Sequence, residues 1–217
     1  MPDMERIFSA LIALSAIIGL TCHLRASTPD GRRAAFLYYT NLSNLAAAAY
    51  QLALLLTSFF PDSAAARALD LPGTRLAMTL CIAVTGIVYW TVLAPGAARR
   101  GEQLAAGRAA NLLLHGAVPA LSLLQWLLCA DKAVTPADAA RWLAVPAAYF
   151  AFILIRARLR GPIPGRSSAY PYHFMNPERL GAGRFWRSIA LMMAAFFALG
   201  LAFVGLARLL LRCGAGA

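Results

Sequence analysis

Six stretches of the chain are apolar at nearly every position: roughly 7–24, 36–60, 74–94, 109–129, 139–155 and 188–211. Most reach 18 residues or more, the length a helix needs to cross about 30 Å of hydrocarbon. In lipid every backbone N–H and C=O must find its partner within the segment, so the pattern predicts a helical bundle. Little chain remains outside these runs. The expected architecture is therefore an all-α integral membrane protein: a single six-helix domain over residues 1–217 with a polar cavity near its cytoplasmic side. The first run is read as a retained helix rather than a signal peptide. Its leading "MPDMER" carries as many acids as bases, and no A-x-A site follows.

The polar exceptions inside the apolar runs carry the next layer. In the second run, Thr40, Ser43, Asn44, Ala47 and Gln51 fall on one helical face. In the fourth, Asn111, His115, Ser122 and Gln125 form a second stripe, with Pro119 between. Polar groups are costly in lipid, so the two stripes are expected to face each other in the bundle interior. Isolated Ser, Thr or Asn residues commonly bind membrane helices together. A histidine within a span is rarer and defaults to a functional role, whereas His23, at the end of the first run, reads as interfacial. Thr40 lies about one turn into the second helix and His115 nearly two turns into the fourth. At ~1.5 Å rise per residue both sit some 5–10 Å from the same membrane face.

The connection over 157–187 breaks at "GPIPG" and then reads "AYPYHFMNPERLGAGRFW". Proline and glycine punctuate it too heavily for a helix. Tyr170, Tyr172, His173, Phe174, Asn176 and Pro177 form an aromatic, hydrogen-bonding cluster there. It is expected to act as a lid over the cavity, or as an interfacial belt of tyrosines.

Charge fixes the expected orientation. The chain carries 20 bases against 9 acids, a net charge of +11. In a soluble protein this points to nucleic acid, but here 13 of the 20 bases lie in three connections. These are Arg25, Arg32 and Arg33; Arg99, Arg100 and Arg108; and seven arginines from Arg156 to Arg187. The other seven bases share their side with six of the nine acids. The positive-inside rule puts the three basic connections in the cytoplasm and both termini outside. Nucleic acid is not an expected partner. A single lysine, Lys132, among 20 bases, with abundant alanine, indicates a GC-rich bacterial genome and hence the inner membrane. The four cysteines show no C-x-x-C spacing, so no metal or redox pair is signalled. Cys129 and Cys213 end helices on the same side, which leaves a disulfide between them open.

The chemistry narrows by elimination. Every Asp and Glu is read as lying in a terminus or a connection, which argues against proton-driven transport on buried acids and against an intramembrane aspartyl protease. G-x-S-x-G and H-E-x-x-H are absent. A haem would need axial ligands, and His23 and His115 lie on different helices without a supporting signature. What remains is the Thr40 hydroxyl and the His115 imidazole at one depth, a nucleophile and a base without metal or cofactor. Neutral donors able to hold an oxyanion or substrate surround them: Asn41, Asn44, Asn111, Gln125, Tyr170, Tyr172, His173 and Asn176. The alternative is a non-catalytic lipid or quinone binder, or a small permease, using the same cavity.

Three motifs, "R-x-x-x-F-x-Y-x-T-N-L-S-N" from Arg32, "H-x-x-x-P" from His115 and "Y-P-Y-x-F-x-N-P" from Tyr170, resemble the androgen-induced-gene family and its bacterial six-span relatives. The resemblance covers helix count and motif order over most of the chain. Animal members hydrolyse fatty acid esters of hydroxy fatty acids with a membrane threonine and histidine. The resemblance thus implies a membrane lipid-ester hydrolase with Thr40 as nucleophile, His115 as base, and a substrate entering from the bilayer. Two positions depart from the pattern: Gln125 stands before Trp126 where bacterial relatives often carry an acid, and His173 follows Tyr172. Neither touches Thr40 or His115, but both leave the substrate's identity open.

Overall fold

A computed structural model describes residues 3–99 and 107–214, apart from the side chains of residues 97 and 214. Arg100, assigned above to the second basic connection, lies outside the described residues, as do residues 1–2 and 215–217 of the two termini. Among the described residues all regular secondary structure is helical, with no strand. Six long helices follow one another: α1 (Asp3–Ala26), α2 (Tyr39–Thr57), α3 (Pro72–Gly96), α4 (Gly107–Cys129), α5 (Pro136–Arg160) and α6 (Ala182–Cys213). Five of them are long and apolar enough to cross a membrane. The exception is α2, whose Thr40, Asn41, Ser43, Asn44 and Gln51 pull its hydropathy down.

The α2 helix is also shorter than the 36–60 run. Residues Ala35–Leu37 form a 3₁₀ turn and Tyr38 is extended, so the helix opens at Tyr39. The Asn41 amide donates to the Ala35 carbonyl at 2.8 Å and ties this bend to the first turn. At its far end the chain turns at Ser58 ahead of Pro61.

Two helices carry a wide turn, Tyr89–Leu93 in α3 and Leu113–Ala117 in α4, each with π-type bonding. Each ends two residues before a proline, Pro95 or Pro119. A proline offers no N–H to the carbonyl four residues back and its ring crowds that carbonyl. For Pro119 that carbonyl belongs to His115, and it accepts instead from the Trp90 indole N–H of α3 at 2.9 Å. The H-x-x-x-P spacing thus frees a histidine carbonyl for an interhelical bond.

Helices α1 to α4 pack as the inner bundle, while α6 lies against the start of α5 and against α3. The centre is filled by small and branched residues, Ile12, Ala16, Ala47, Ala48, Ile82 and Val118. Small residues let helices approach closely where no hydrophobic force separates protein from lipid. At Gly86 a Cβ would sit 3.1 Å from the His115 carbonyl oxygen and 3.2 Å from the Pro119 ring. A second cluster around Trp126, Trp142 and Phe203 joins α3, α4, α5 and α6, and a third seats the 161–181 loop on Phe150, Ile153 and Ala157 of α5. Gly161, at φ 63, ends α5 and starts that loop.

The outer faces are apolar: Ile7, Leu14, Leu56, Ile155, Leu191 and Leu209 are all more than half exposed. Contiguous apolar surface on this scale needs a non-aqueous neighbour.

Two expectations need correction, and the open question of a disulfide is answered. A carboxylate does lie within a span. Glu5, in the first turns of α1, is 3 % exposed and pairs with Arg75 of α3, itself 7 % exposed. The pairing makes burial tolerable, because each charge meets its opposite and Asp70 adds a second contact to Arg75 at 2.5 Å. Arg75 is accordingly an interior residue of the bundle rather than a surface base. Cys129 and Cys213 are both free thiols.

Candidate functional site

Thr40 is the second residue of α2 and, partly buried, lines a cavity of about 50 Å³. The walls come from α3 (Val84, Thr85, Val88), α5 (Pro146, Tyr149, Phe150), α6 (Met192, Phe196) and the 161–181 loop (Tyr172, Phe174). They are apolar or aromatic nearly everywhere. The polar groups, Thr40, Thr85 and the phenols of Tyr39, Tyr149 and Tyr172, are the exceptions. A cavity of this composition suits a chain of methylenes carrying one polar group.

The hydrogen bonding around Thr40 is dense. Its carbonyl accepts from the Asn44 amide at 2.8 Å and from the Ser43 hydroxyl at 3.0 Å. Ser43 also bonds Thr85 of α3 at 2.7 Å. The Asn44 amide donates in addition to the Leu114 carbonyl at 3.2 Å, beside His115. Asn44 therefore spans from the Thr40 turn to the wide turn of α4. Its Oδ1, fully buried, has no partner among the described residues.

His115 lies in that wide turn, 7 % exposed. Its ring stacks on Tyr89 of α3 with centroids 3.7 Å apart and planes 8° from parallel, and it lies against the backbone of Thr85. Its Nδ1 has no hydrogen-bond partner among the described residues. His115 is not among the residues lining the Thr40 cavity, and no hydrogen bond joins it to the Thr40 hydroxyl. Thr85, bonded through Ser43 and lining the cavity, stands between the two.

The loop supplies Tyr172. Its ring is edge-on to Tyr38 at 5.8 Å and stacked with Phe174 at 5.2 Å, and its hydroxyl lies against Thr40. Burial of the phenol pushes its pKa up to about 12, against the opposing pull of the Thr40 side chain and backbone. The phenol is thus a neutral donor across the physiological range. The Arg166 guanidinium holds the loop down, donating to the Tyr38 hydroxyl at 2.7 Å and to the Pro171 carbonyl at 3.2 Å. Arg156 anchors its base through the carbonyls of Gly161, Pro162 and Ala169.

The remaining candidates fall elsewhere. Asn41 is buried and spends its amide on Ala35. Asn111 is half-buried on α4, one turn before His115, and does not line the cavity. Tyr170 is buried in one cluster with Phe150 and Met175 and does not line the cavity. Asn176 caps the short helix Pro177–Leu180, its Oδ1 accepting from the N–H groups of Glu178 and Arg179 at 2.9 and 3.1 Å. His173 is exposed on the loop, edge-on to Phe174. Gln125 lies at the other end of the bundle, bonded to Gln51 at 2.7 Å and Ser9 at 2.8 Å. It lines a separate polar cavity with Arg75, Thr79 and Ser122. The Thr40 cavity is thus mainly apolar and the polar one lies away from it.

Tyr39, Tyr149 and Thr85 were not expected at the site. Tyr149 donates to the Leu37 carbonyl at 2.9 Å and packs edge-on to Tyr39 at 5.1 Å. Tyr39 in turn reaches Cys81 of α3. A tyrosine within a run such as "AVPAAYFAFIL" is a signal of an inward-facing position, since its hydroxyl needs a partner.

Among the described residues, an all-helical architecture, five helices long and apolar enough to cross a bilayer and apolar outer faces point to one class, a helical membrane protein. No family model, curated protein or solved structure matches the chain.

Proposed function

We propose that the protein is a threonine-dependent hydrolase of lipid esters, with α2 as a sixth span between α1 and α3. The observation that carries this reading is the position of Thr40: a hydroxyl at the polar rim of a cavity whose walls are otherwise apolar and aromatic. A fatty acyl ester, such as a fatty acid ester of a hydroxy fatty acid, matches both parts. Its chains lie among Val84, Val88, Phe150, Met192 and Phe196, and its carbonyl lies at Thr40. The basic connections and the 161–181 lid face the cytoplasm of a bacterial inner membrane, with both termini outside, and the substrate enters from the bilayer.

In the reaction the Thr40 oxygen attacks the ester carbonyl carbon while His115 takes the hydroxyl proton. The oxyanion is held by the neutral Tyr172 phenol. Collapse expels the alcohol, which receives the proton from His115, and a water then cleaves the acyl-threonine by the same steps in reverse. The unpartnered Nδ1 of His115 supports a base role, because nothing else competes for that lone pair. Transfer requires the ring to swing off Tyr89 toward Thr40, or a water to bridge them. Catalytic contacts are often long before substrate binds.

A second reading, a non-catalytic lipid or quinone binder or a small permease, is favoured by one observation: no hydrogen bond joins Thr40 and His115. A fluorophosphonate probe separates the two. A hydrolase is labelled at Thr40, with labelling lost in Thr40→Ala; a binder or permease is not labelled, and that result rejects the catalytic reading.

A further inference from the structure

At the opposite end of the bundle from Thr40, α2, α3 and α4 line a second cavity that the proposed reaction does not use. Its wall includes Gln51, Arg75, Thr79, Ser122, Gln125 and Trp126, each at least nine-tenths buried. The formal charges nearby are already matched. Arg75 is held by Glu5 and Asp70, and the Lys132 ammonium by the carbonyls of Trp126 and Ala130. The two glutamine amides bond each other, and Gln125 also bonds Ser9. The Trp126 indole N–H, 1 % exposed, has no acceptor among the described residues. A buried N–H without a partner costs about 1–3 kcal/mol.

The cavity has about 20 Å³ of room. A single water needs roughly 10–15 Å³ and two to four polar partners. With charges paired and space for one oxygen atom, the site selects a small uncharged acceptor. We propose that this cavity is a binding site for one resident water, which accepts from the Trp126 N–H and bonds onward to the Ser122 and Thr79 hydroxyls or the glutamine pair. The water lies beside the Glu5–Arg75 pair and softens the local environment in which those charges are buried. The proposal is independent of any esterase activity.

Trp142 provides an internal control. It too is 1 % exposed with an unpartnered indole N–H, but that nitrogen faces the close approach of Gly200, where a Cβ would lie 2.9 Å away, and it lines no such cavity. Brief X-ray radiolysis of the detergent-solubilised protein in ¹⁸O-water generates hydroxyl radicals from bound water, and these add oxygen to adjacent side chains. The expected result is ¹⁸O uptake at Trp126 clearly above that at Trp142. In Ser122→Leu, which fills the cavity, uptake at Trp126 falls to the Trp142 level. Equal, background uptake at both tryptophans of the wild-type protein overturns the proposal. So does unchanged labelling of Trp126 in a folded Ser122→Leu variant. If that variant does not fold, the wild-type ratio alone decides.

Discussion

Thr40 and Asn44 sit one helical turn apart, and the proposed chemistry separates their roles. Thr40→Ala is expected to abolish hydrolysis of a lipid ester with little loss of stability, since a membrane-buried hydroxyl contributes only about 1 kcal/mol. Thr40→Ser, which keeps the nucleophile, retains measurable turnover. His115→Ala is as inactive as Thr40→Ala, and the double variant is hardly worse, because members of a catalytic unit are not additive. Turnover and thermal melting measured on the same preparations check all four; a well-folded Thr40→Ala that hydrolyses at the wild-type rate removes Thr40 from the mechanism. Asn44→Ala behaves differently. It removes the bonds from α2 to the Thr40 and Leu114 carbonyls, and it is expected to lower stability by about 1–3 kcal/mol. At this scale the sequence revealed the residues that break an apolar pattern, Thr40, Asn44 and His115 among them. It could not reveal what their atoms bond. Asn176 looks like a substrate ligand in "YPYHFMNPERL" until its carbonyl is found capping the following turn. Gln125 shares a helical face with His115, but ten residues at ~1.5 Å each carry it about 15 Å along the axis, beyond any group that meets Thr40.

Among the elements, the 161–181 loop and the two wide turns hold the most consequence. Arg166 fastens the loop to Tyr38, two residues before Thr40. Arg166→Gln is therefore expected to speed tryptic cleavage within the loop while leaving the melting temperature nearly unchanged, because exposed polar contacts contribute little globally. Unchanged cleavage shows that the apolar seat on α5 suffices. The same loop has a pH signature. The folded pKa of Tyr172 is raised, so its contribution is fully present below the ordinary tyrosine value near 10 and is lost as pH rises toward about 12. Loop cleavage by an alkali-tolerant protease should accelerate over that window in the wild-type protein, and the step should vanish in Tyr172→Phe. The loop's existence was readable from its prolines and glycines. The wide turns follow from Pro95 and Pro119, yet their partner was not readable: that Trp90 meets the carbonyl freed at His115 depends on how α3 and α4 lie together.

Over the whole molecule, the buried Glu5–Arg75 pair fastens α1 to α3. Glu5→Gln leaves a buried guanidinium with only Asp70 opposite, and removing one partner of a buried pair typically costs about 3–5 kcal/mol. A correspondingly large drop in thermal stability in detergent is expected; a change of a degree or less means that water already screens the pair. Glu5 escaped the sequence reading because it stands ahead of the apolar run, and only the packing of α1 on α3 shows its carboxyl inside the bundle. The shortfall of α2 has a consequence for how the protein is made. Of the six helices it is the one that hydropathy alone would leave in water, yet three of its polar side chains, Ser43, Asn44 and Gln51, bond partners on other helices: Thr85 on α3, Leu114 and Gln125 on α4. During synthesis those partners emerge later than α2 itself. On the proposed six-span reading, the nascent helix is expected to be escorted, held beside the apolar face of α1 until α3 and α4 arrive to complete its bonds.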